Sequence, residues 1–398
     1  MPAFGVLGYS GTNNLGDEIQ SIAATNLLPK VDYYLNRDNL REEGNKLTED
    51  VWTVMNGWYG QYPERWPPGR KIRPLLTSMH LTEASPSSKY GLIPAEYFLI
   101  PPISTYLREH APIGARDMHT LNLLQKAKIP AYFSGCMTLT LSRPEVARAE
   151  DLVVYNNIPA DVLKRLRATS RKQLFGVEHV DVREGNPAER IARARELLAL
   201  YARASCVITS RLHCALPSLA MGTPVLLLDV AGDSYRFAGL NEFVHHCTAA
   251  SFLSGKFAYD VDDPLPNKTA HLAYRKGLIR SVEDFIATAE AGAPSTATYE
   301  ATEEDREAAM LNLFRHKGLP EPAWRAKAKT VIKARVENPD HLPFEGNVGA
   351  NAGALLSGEF YSEREGRLFG KMLYLNGKQL KDSAWSIAQS DWEPLPAG

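Results

Sequence analysis

Short apolar runs alternate with amphipathic stretches along most of this chain, with the spacing of strand–helix units. The run Phe4–Tyr9 predicts a strand, Ser10–Gly16 is a Gly/Asn-rich loop, and Asp17–Leu28 has helical periodicity. Val51–Gly57 predicts a further strand; Ile72–Ser78 and Tyr97–Ile100 are weaker strand candidates. Pro112–Ala115 leads into a helix over Arg116–Ala127, and Pro130–Phe133 is a short strand ending at Ser134-Gly135-Cys136. The charged stretch Arg143–Asp151 interrupts the pattern and marks a domain boundary. The alternation then restarts with strand Leu152–Asn156, helix Pro159–Thr169, strand Phe175–Val182 and helix Pro187–Ala204. That last helix carries Ile191, Leu197, Leu198 and Tyr201 on one face. Strand Cys206–Thr209, helix Arg211–Met221 and strand Pro224–Asp229 follow.

Two successive blocks of this kind predict an α/β protein. The expected architecture is two Rossmann-like domains, residues 1–145 and 146–291, facing each other across a cleft. Ligands in such folds sit beyond the carboxyl ends of the strands. Residues 292–398 read as an extension: a linker over Gly292–Glu304, helices at Glu307–Leu313 and Pro322–Val336, and a loop over Asn338–Gly353. A hairpin is expected over Arg367–Leu380, because Asn376-Gly377 favours a type I′ turn. Nothing in the pattern gives this extension a function.

Length supports the division, since 398 residues exceed one ordinary domain. Charge narrows the partners: 45 Lys+Arg against 46 Asp+Glu argues against a nucleic-acid binder held by bulk electrostatics. Cys136, Cys206, Cys214 and Cys247 form no CxxC pair, so no zinc site is expected. Cys136, Cys206 and Cys214 lie in apolar surroundings and read as small core residues in a reducing cytosol. The first residues lack the basic region of a signal peptide. The apolar stretch Cys214–Gly232 is broken by Pro217, Gly222, Pro224 and Asp229, so it is no membrane span. A cytoplasmic protein is expected.

Candidate chemistry sits at three strand-to-helix junctions. In Asn13-Asn-Leu-Gly16-Asp17-Glu18, Gly16 permits close backbone approach, and the loop suits an anion or a sugar. Asp17 reads either as a helix N-cap or as a general base for a hydroxyl. In Gly114-Ala-Arg116-Asp117, an arginine at a helix start opposes the helix dipole, so it needs an anion partner, either Asp117 or a ligand. In Ser210-Arg211-Leu212-His213, a cation and a titratable group meet the free amides of a helix start, an anion site suited to proton transfer. His213 reads alternatively as a satisfied, partly buried histidine. Arg236, after the strand Pro224–Asp229, is a further cation or a surface arginine. His245 and His246 would point to opposite faces of a strand, so no metal is expected there.

In order and spacing, three groups of segments resemble the polysaccharide pyruvyl transferase family over residues 1–290. They are Asn14-Leu-Gly-Asp17-Glu18; Gly114-Ala-Arg116-Asp117 with Phe133-Ser-Gly135-Cys-Met-Thr-Leu-Thr140; and Ile208-Thr-Ser-Arg211-Leu-His213 with Ala220-Met-Gly222-Thr-Pro224. The resemblance implies a GT-B-like fold, phosphoenolpyruvate as donor substrate, and a sugar hydroxyl pair as acceptor. The product would be a cyclic pyruvate ketal on a cell-surface or secreted glycan precursor. It also implies that Arg116, Arg211, Leu212 and His213 bind the donor and that Asp17 acts in catalysis. Some members carry a lysine where Arg236 stands three residues off the spacing. Asn14, Glu18, Trp58 and Tyr59 are candidate acceptor contacts in the N-terminal half; Trp66 offers another ring, and Trp52 fits a core position better.

The scheme needs neither metal nor cofactor. Phosphate and carboxylate of the donor call for several cations, here Arg116, Arg211 and Arg236. His213 would protonate the methylene carbon and Asp17 would take a hydroxyl proton. A lipid-linked oligosaccharide acceptor would bring the protein to the inner face of the membrane, and a homo-oligomer is compatible with the chain. The rival readings are a nucleotide-sugar-dependent GT-B glycosyltransferase and a non-catalytic glycan-binding protein on the same scaffold.

Overall fold

The computed structural model describes residues 1–292 except 61, 63–64, 84–92, 182–185 and 230–233; beyond 292 it describes the backbone of separate strands. The chain divides into two compact units, Met1–Thr302 and Glu303–Gly398.

The first unit opens with β1 (Ala3–Gly8), α1 (Leu15–Thr25), β2 (Tyr33–Asn36), α2 (Leu40–Lys46), β3 (Val51–Val54) and β4 (Trp58–Tyr59). Next come β5 (Ile72–Leu75), β6 (His80–Leu81), α3 (Pro94–Phe98), α4 (Ile103–Glu109), β7 (Ile113–Ala115), α5 (Met118–Lys126) and β8 (Ala131–Phe133). A parallel sheet runs β2-β1-β3-β5, and β4 with β6 and β7 with β8 form small parallel pairs. The second stretch comprises β9 (Ala149–Asn156), α6 (Ala160–Thr169), β10 (Gln173–Val177), α7 (Pro187–Arg203), β11 (Ala204–Thr209) and α8 (Leu212–Ala220). It ends with β12 (Val225–Asp229), β13 (His245–Thr248), α9 (Ala249–Leu253) and α10 (His271–Glu290). Its sheet is parallel throughout, in the order β10-β9-β11-β12-β13.

The α/β alternation is therefore real, with parallel sheets in both halves. β11 shows why: Ala204–Thr209 is buried at every position, as expected of a strand covered on both faces. Cys206 and Ile208 point into one core with Val162, Leu166, Leu226 and Leu228. Val207 points into the other, which joins Phe4 and Val6 of β1, Ile19 and Ile22 of α1, Tyr201 of α7 and Val282 of α10. This shared core links the two sheets within one unit. All four cysteines are free and buried. Among the described residues, no helix is long and apolar enough to cross a membrane.

Several predicted elements differ. Tyr97–Ile100 is no strand; Pro94–Phe98 forms α3, with Pro94 in the first turn where its missing N–H costs nothing. A short apolar run does not distinguish the two states. α10 follows a helical spacing, with Leu278, Val282, Phe285 and Ala289 buried, yet the strand–helix reading passes over it.

The second unit contains β14 (Val331–Val336), β15 (Phe344–Asn347), β16 (Leu355–Ser362), β17 (Arg367–Tyr374) and β18 (Ile387–Pro394), in the antiparallel order β17-β16-β15-β14-β18. The end of the predicted helix Pro322–Val336 is thus a strand. Ile332, Ala334 and Val336 alternate with Lys333 and Arg335, a period of two that outweighs the Ala/Lys-rich residues before it. β15 lies inside the predicted loop Asn338–Gly353, where pairing with β14 overrides weak propensity. β17 pairs antiparallel with the preceding strand β16. The dipeptide Asn376-Gly377, the helix Glu307–Leu313 and nearly all of the linker lie outside the described residues.

Candidate active site

The order β10-β9-β11-β12-β13 reverses direction between β9 and β11, and such a switch point opens a crevice at the carboxyl ends of the strands. Asn156 of β9 lies beside Thr209 of β11 there, and the Asn157 side-chain amide donates to Ser210 Oγ at 2.7 Å. β11 then passes into α8. Arg211 occupies the N-cap position with extended backbone and no side-chain cap. Its amide donates to Thr209 Oγ1 at 2.9 Å, and its carbonyl accepts from the amides of Cys214 and Ala215. Arg211 is exposed, while Leu212 and His213 are half-buried and Leu212 packs against the core.

The loop after β1 comes to the same place. Asn14, not Asp17, caps α1, accepting from the Gly16 amide at 3.2 Å. This loop is pinned to the segment after β10: the Leu15 amide donates to the His179 carbonyl at 2.8 Å, and the Asp181 amide to the Asn13 carbonyl at 2.7 Å. A methyl group on Gly16 would lie 3.1 Å from His179 Nδ1 and 3.3 Å from the Cβ of His213. Gly16 is what lets the first helix approach the second half this closely. His179 Nε2 lies 2.8 Å from Tyr201 Oη. Burial, aided by Arg211, lowers the His179 pKa to about 4.

From the β7–α5 junction, Arg116 enters at only 1 % exposure. Its Nε donates to Asp117 Oδ2 at 3.3 Å, and Asp117 caps α5 by accepting from the Thr120 amide at 2.9 Å. Asp117 Oδ2 also lies 2.6 Å from Nδ1 of His80, a fully buried histidine on β6. Arg236, in the turn Ser234–Phe237, completes the group. The Met118 amide donates to the Ala238 carbonyl at 2.9 Å, which brings this turn against the start of α5.

These groups act on one another electrostatically. Burial, with the Arg116 and Arg236 cations adding to it, holds the His213 pKa well below the ordinary histidine value. Burial raises the Asp17 carboxyl, while Arg37 and Arg116 oppose that rise. Arg37 Nη1 lies 3.7 Å from Asp17 Oδ2, and its guanidinium sits over the rings of Tyr9 and Trp58, 4.9 and 5.5 Å from their centroids. Three buried nitrogens in this region have no hydrogen-bond partner among the described residues: Arg116 Nη2, His213 Nε2 and His80 Nε2. Buried polar atoms are almost always satisfied, so such a cluster calls for a polar partner, water or ligand.

Asp17 and His213 each lie within the electrostatic reach of Arg116, His213 also within that of Arg236, and His179 within that of Arg211. One acceptor candidate does not fit. Tyr59 is 2 % exposed, with its ring against Trp66 and Phe98, so it offers no face to a sugar. Glu18 Oε1 accepts from Arg190 Nε at 2.6 Å, joining α1 to α7, while its buried Oε2 has no hydrogen-bond partner among the described residues. Asn14 is occupied as the helix cap, whereas half-buried Trp58 remains beside Arg37 and Asp17. Trp52 packs edge-on against Phe285, in line with a core role. His245 Nε2 lies 2.9 Å from the Pro266 carbonyl and His246 Nδ1 2.9 Å from Asp229 Oδ2, two separate environments. Residue-by-residue reading missed His80, which has no motif around it; its one signal is a histidine inside the apolar stretch Met79–Leu81.

Fold and site define an α/β protein with parallel sheets whose strand ends gather arginines and histidines around unpartnered nitrogen atoms. Residues 92–232 match the family model of polysaccharide pyruvyl transferases, in agreement with the resemblance carried by the junction motifs. The matched span contains Gly114–Asp117 and Ile208–His213; Asn14–Glu18 and Arg236 lie outside it. No curated protein matches the chain. Among solved structures, a functionally uncharacterised protein from Klebsiella pneumoniae is 13% identical, with 62% of this chain and 93% of that one covered and a TM-score of 0.35. A protein described as a UDP-N-acetylglucosamine 2-epimerase from Listeria monocytogenes is 10% identical, with 81% and 99% covered and a TM-score of 0.31.

Proposed function

We propose that the protein transfers the enolpyruvyl group of phosphoenolpyruvate onto two hydroxyls of a sugar in a glycan precursor, forming a cyclic ketal and releasing phosphate. The observation that carries this reading is the set of buried, unpartnered nitrogens on Arg116 and His213 beside the uncapped start of α8. A donor bearing a phosphate and a carboxylate supplies acceptors for those nitrogens and for the free amides of the first helical turn. Arg116, Arg211 and Arg236 balance its charge.

His213 is neutral in the empty site, because burial and the surrounding cations disfavour its proton. The donor's negative charge reverses that bias, so His213 gains its proton together with the donor. It then protonates the methylene carbon, and an oxocarbenium-like centre forms at the adjacent carbon. Asp17 takes a proton from an attacking hydroxyl, and Trp58 offers a ring face to the sugar. No cofactor beyond the donor enters the scheme.

The test is incubation of the protein with phosphoenolpyruvate and a panel of lipid-linked and aryl sugars. Phosphate release together with a ketal-bearing sugar in the mass spectrum is expected. Release of a nucleotide from a nucleotide sugar, with phosphoenolpyruvate untouched, would instead establish a glycosyltransferase.

A further inference from the structure

Ketal formation draws protons from two hydroxyls, and the assignment above accounts for one of them. The fully buried pair His80–Asp117 has no part in it. We propose that His80, held by Asp117, shuttles the proton of the first attacking hydroxyl to the departing phosphate. The proposal rests on the pyruvyl-transfer reading.

Three observations support it. Asp117 is an ionised acceptor: burial alone would raise its pKa, but His80 and Arg116 together bring it below the ordinary value. An acceptor 2.6 Å from Nδ1 requires Nδ1 to carry the hydrogen, so the lone pair of the neutral ring is on Nε2. Nε2 is buried and has no partner among the described residues. The ring is also fixed in place: it stacks on Tyr235 with centroids 6.1 Å apart, and Thr120 Oγ1 lies 3.4 Å from Nδ1. His80 shares its electrostatic surroundings with Arg116 and Arg236, the cations assigned to the donor. Burial and those cations lower its pKa to about 4, so the empty site holds it ready as a proton acceptor. A carboxylate behind a histidine fixes the tautomer and stabilises the imidazolium once it forms.

The steps balance. His213 gives its proton to the methylene carbon. The first hydroxyl oxygen bonds to the adjacent carbon as its proton moves to His80 Nε2. The carbon–oxygen bond to phosphate breaks, and His80 returns that proton to the departing oxygen. The second hydroxyl then closes the ring and its proton passes to Asp17, which loses it to solvent while His213 is recharged. Asp117 is a positioning residue, acting through His80.

The experiment measures steady-state kinetics across pH for wild type, His80→Gln and Asp117→Asn, with melting temperatures and the long-range 1H–15N spectrum of the histidine rings. His80→Gln should lower kcat at least about 100-fold while KM for phosphoenolpyruvate stays within about threefold. It should also change the acid limb of the pH profile. Asp117→Asn keeps the helix cap but favours the wrong tautomer, and should lower kcat at least about tenfold. In the wild-type spectrum His80 should carry its hydrogen on Nδ1. A His80 hydrogen on Nε2, or a folded His80→Gln variant within about threefold of wild-type kcat, overturns the proposal whatever the variants' stability. A wild-type protein that releases no phosphate from phosphoenolpyruvate overturns the underlying reading and the proposal with it; activity lost only in the variants leaves the reading intact.

Discussion

The β7–α5 and β11–α8 junctions place an arginine at the same point, the start of a helix, and treat it in opposite ways. At the first, Arg116 is buried against Asp117, which caps α5 and holds His80. At the second, Arg211 is exposed and α8 starts without a side-chain cap. A buried arginine with a partner is a fixed positive charge whose geometry the core sets. An exposed one beside open helical amides is free to close on a ligand. On the proposed reading, the difference separates the part of the site built in advance from the part completed by the substrate.

Replacing His213 by Ala should produce the largest effect, a fall of about 10²–10⁴ in turnover. Near-normal turnover in that variant would remove the proton donor from the scheme. Arg116→Met should destabilise the fold by about 3–5 kcal/mol in a denaturant titration, because Asp117 stays buried with one partner fewer. The pH dependence comes next. Burial holds His80 and His179 at about 4, below the ordinary 6.5, so the unfolded chain binds more protons between those values. Stability is therefore complete above pH 6.5 and falls as pH drops towards 4, by about 3 kcal/mol for each histidine. Melting temperatures across that range check this, and His179→Gln should flatten the curve.

Arg211→Ala sharpens the contrast from the other side. It should change stability by no more than about 0.5 kcal/mol, yet raise KM for phosphoenolpyruvate about tenfold. Equal losses of stability in the Arg116 and Arg211 variants would break the distinction between the two junctions. The smallest signal is proton uptake on donor binding. Since His213 is neutral in the empty site and charged in the complex, affinity should weaken as pH rises. Calorimetry in buffers of different ionisation enthalpy would show uptake of up to about one proton, and its absence would mean that His213 stays neutral with donor bound.

Much of this was readable from residues close together in the chain. Leu152–Asn156 and Cys206–Thr209 announce buried parallel strands because each is a short β-rich apolar run followed by a helix. The pairing of Arg211 with His213 at a helix start depends on four consecutive residues. His80 and Asp117 lie 37 positions apart, and Glu18 and Arg190 lie 172 apart. Nothing in either neighbourhood announces the partner. Tyr59 looked available to a sugar until Trp66 and Phe98 closed over it, and Asp17 looked like a cap until Asn14 took that place.

By itself, then, the sequence determined the strand–helix alternation and the placing of Arg211 and His213 at a helix start, because periodicity and local backbone geometry depend on neighbours within a few residues. Only the tertiary structure decided which charges are buried, which histidine nitrogens lack partners and which candidate side chains are already used. Burial and electrostatic coupling arise between segments distant in the chain, and those same terms set the proton affinities on which the site's chemistry depends.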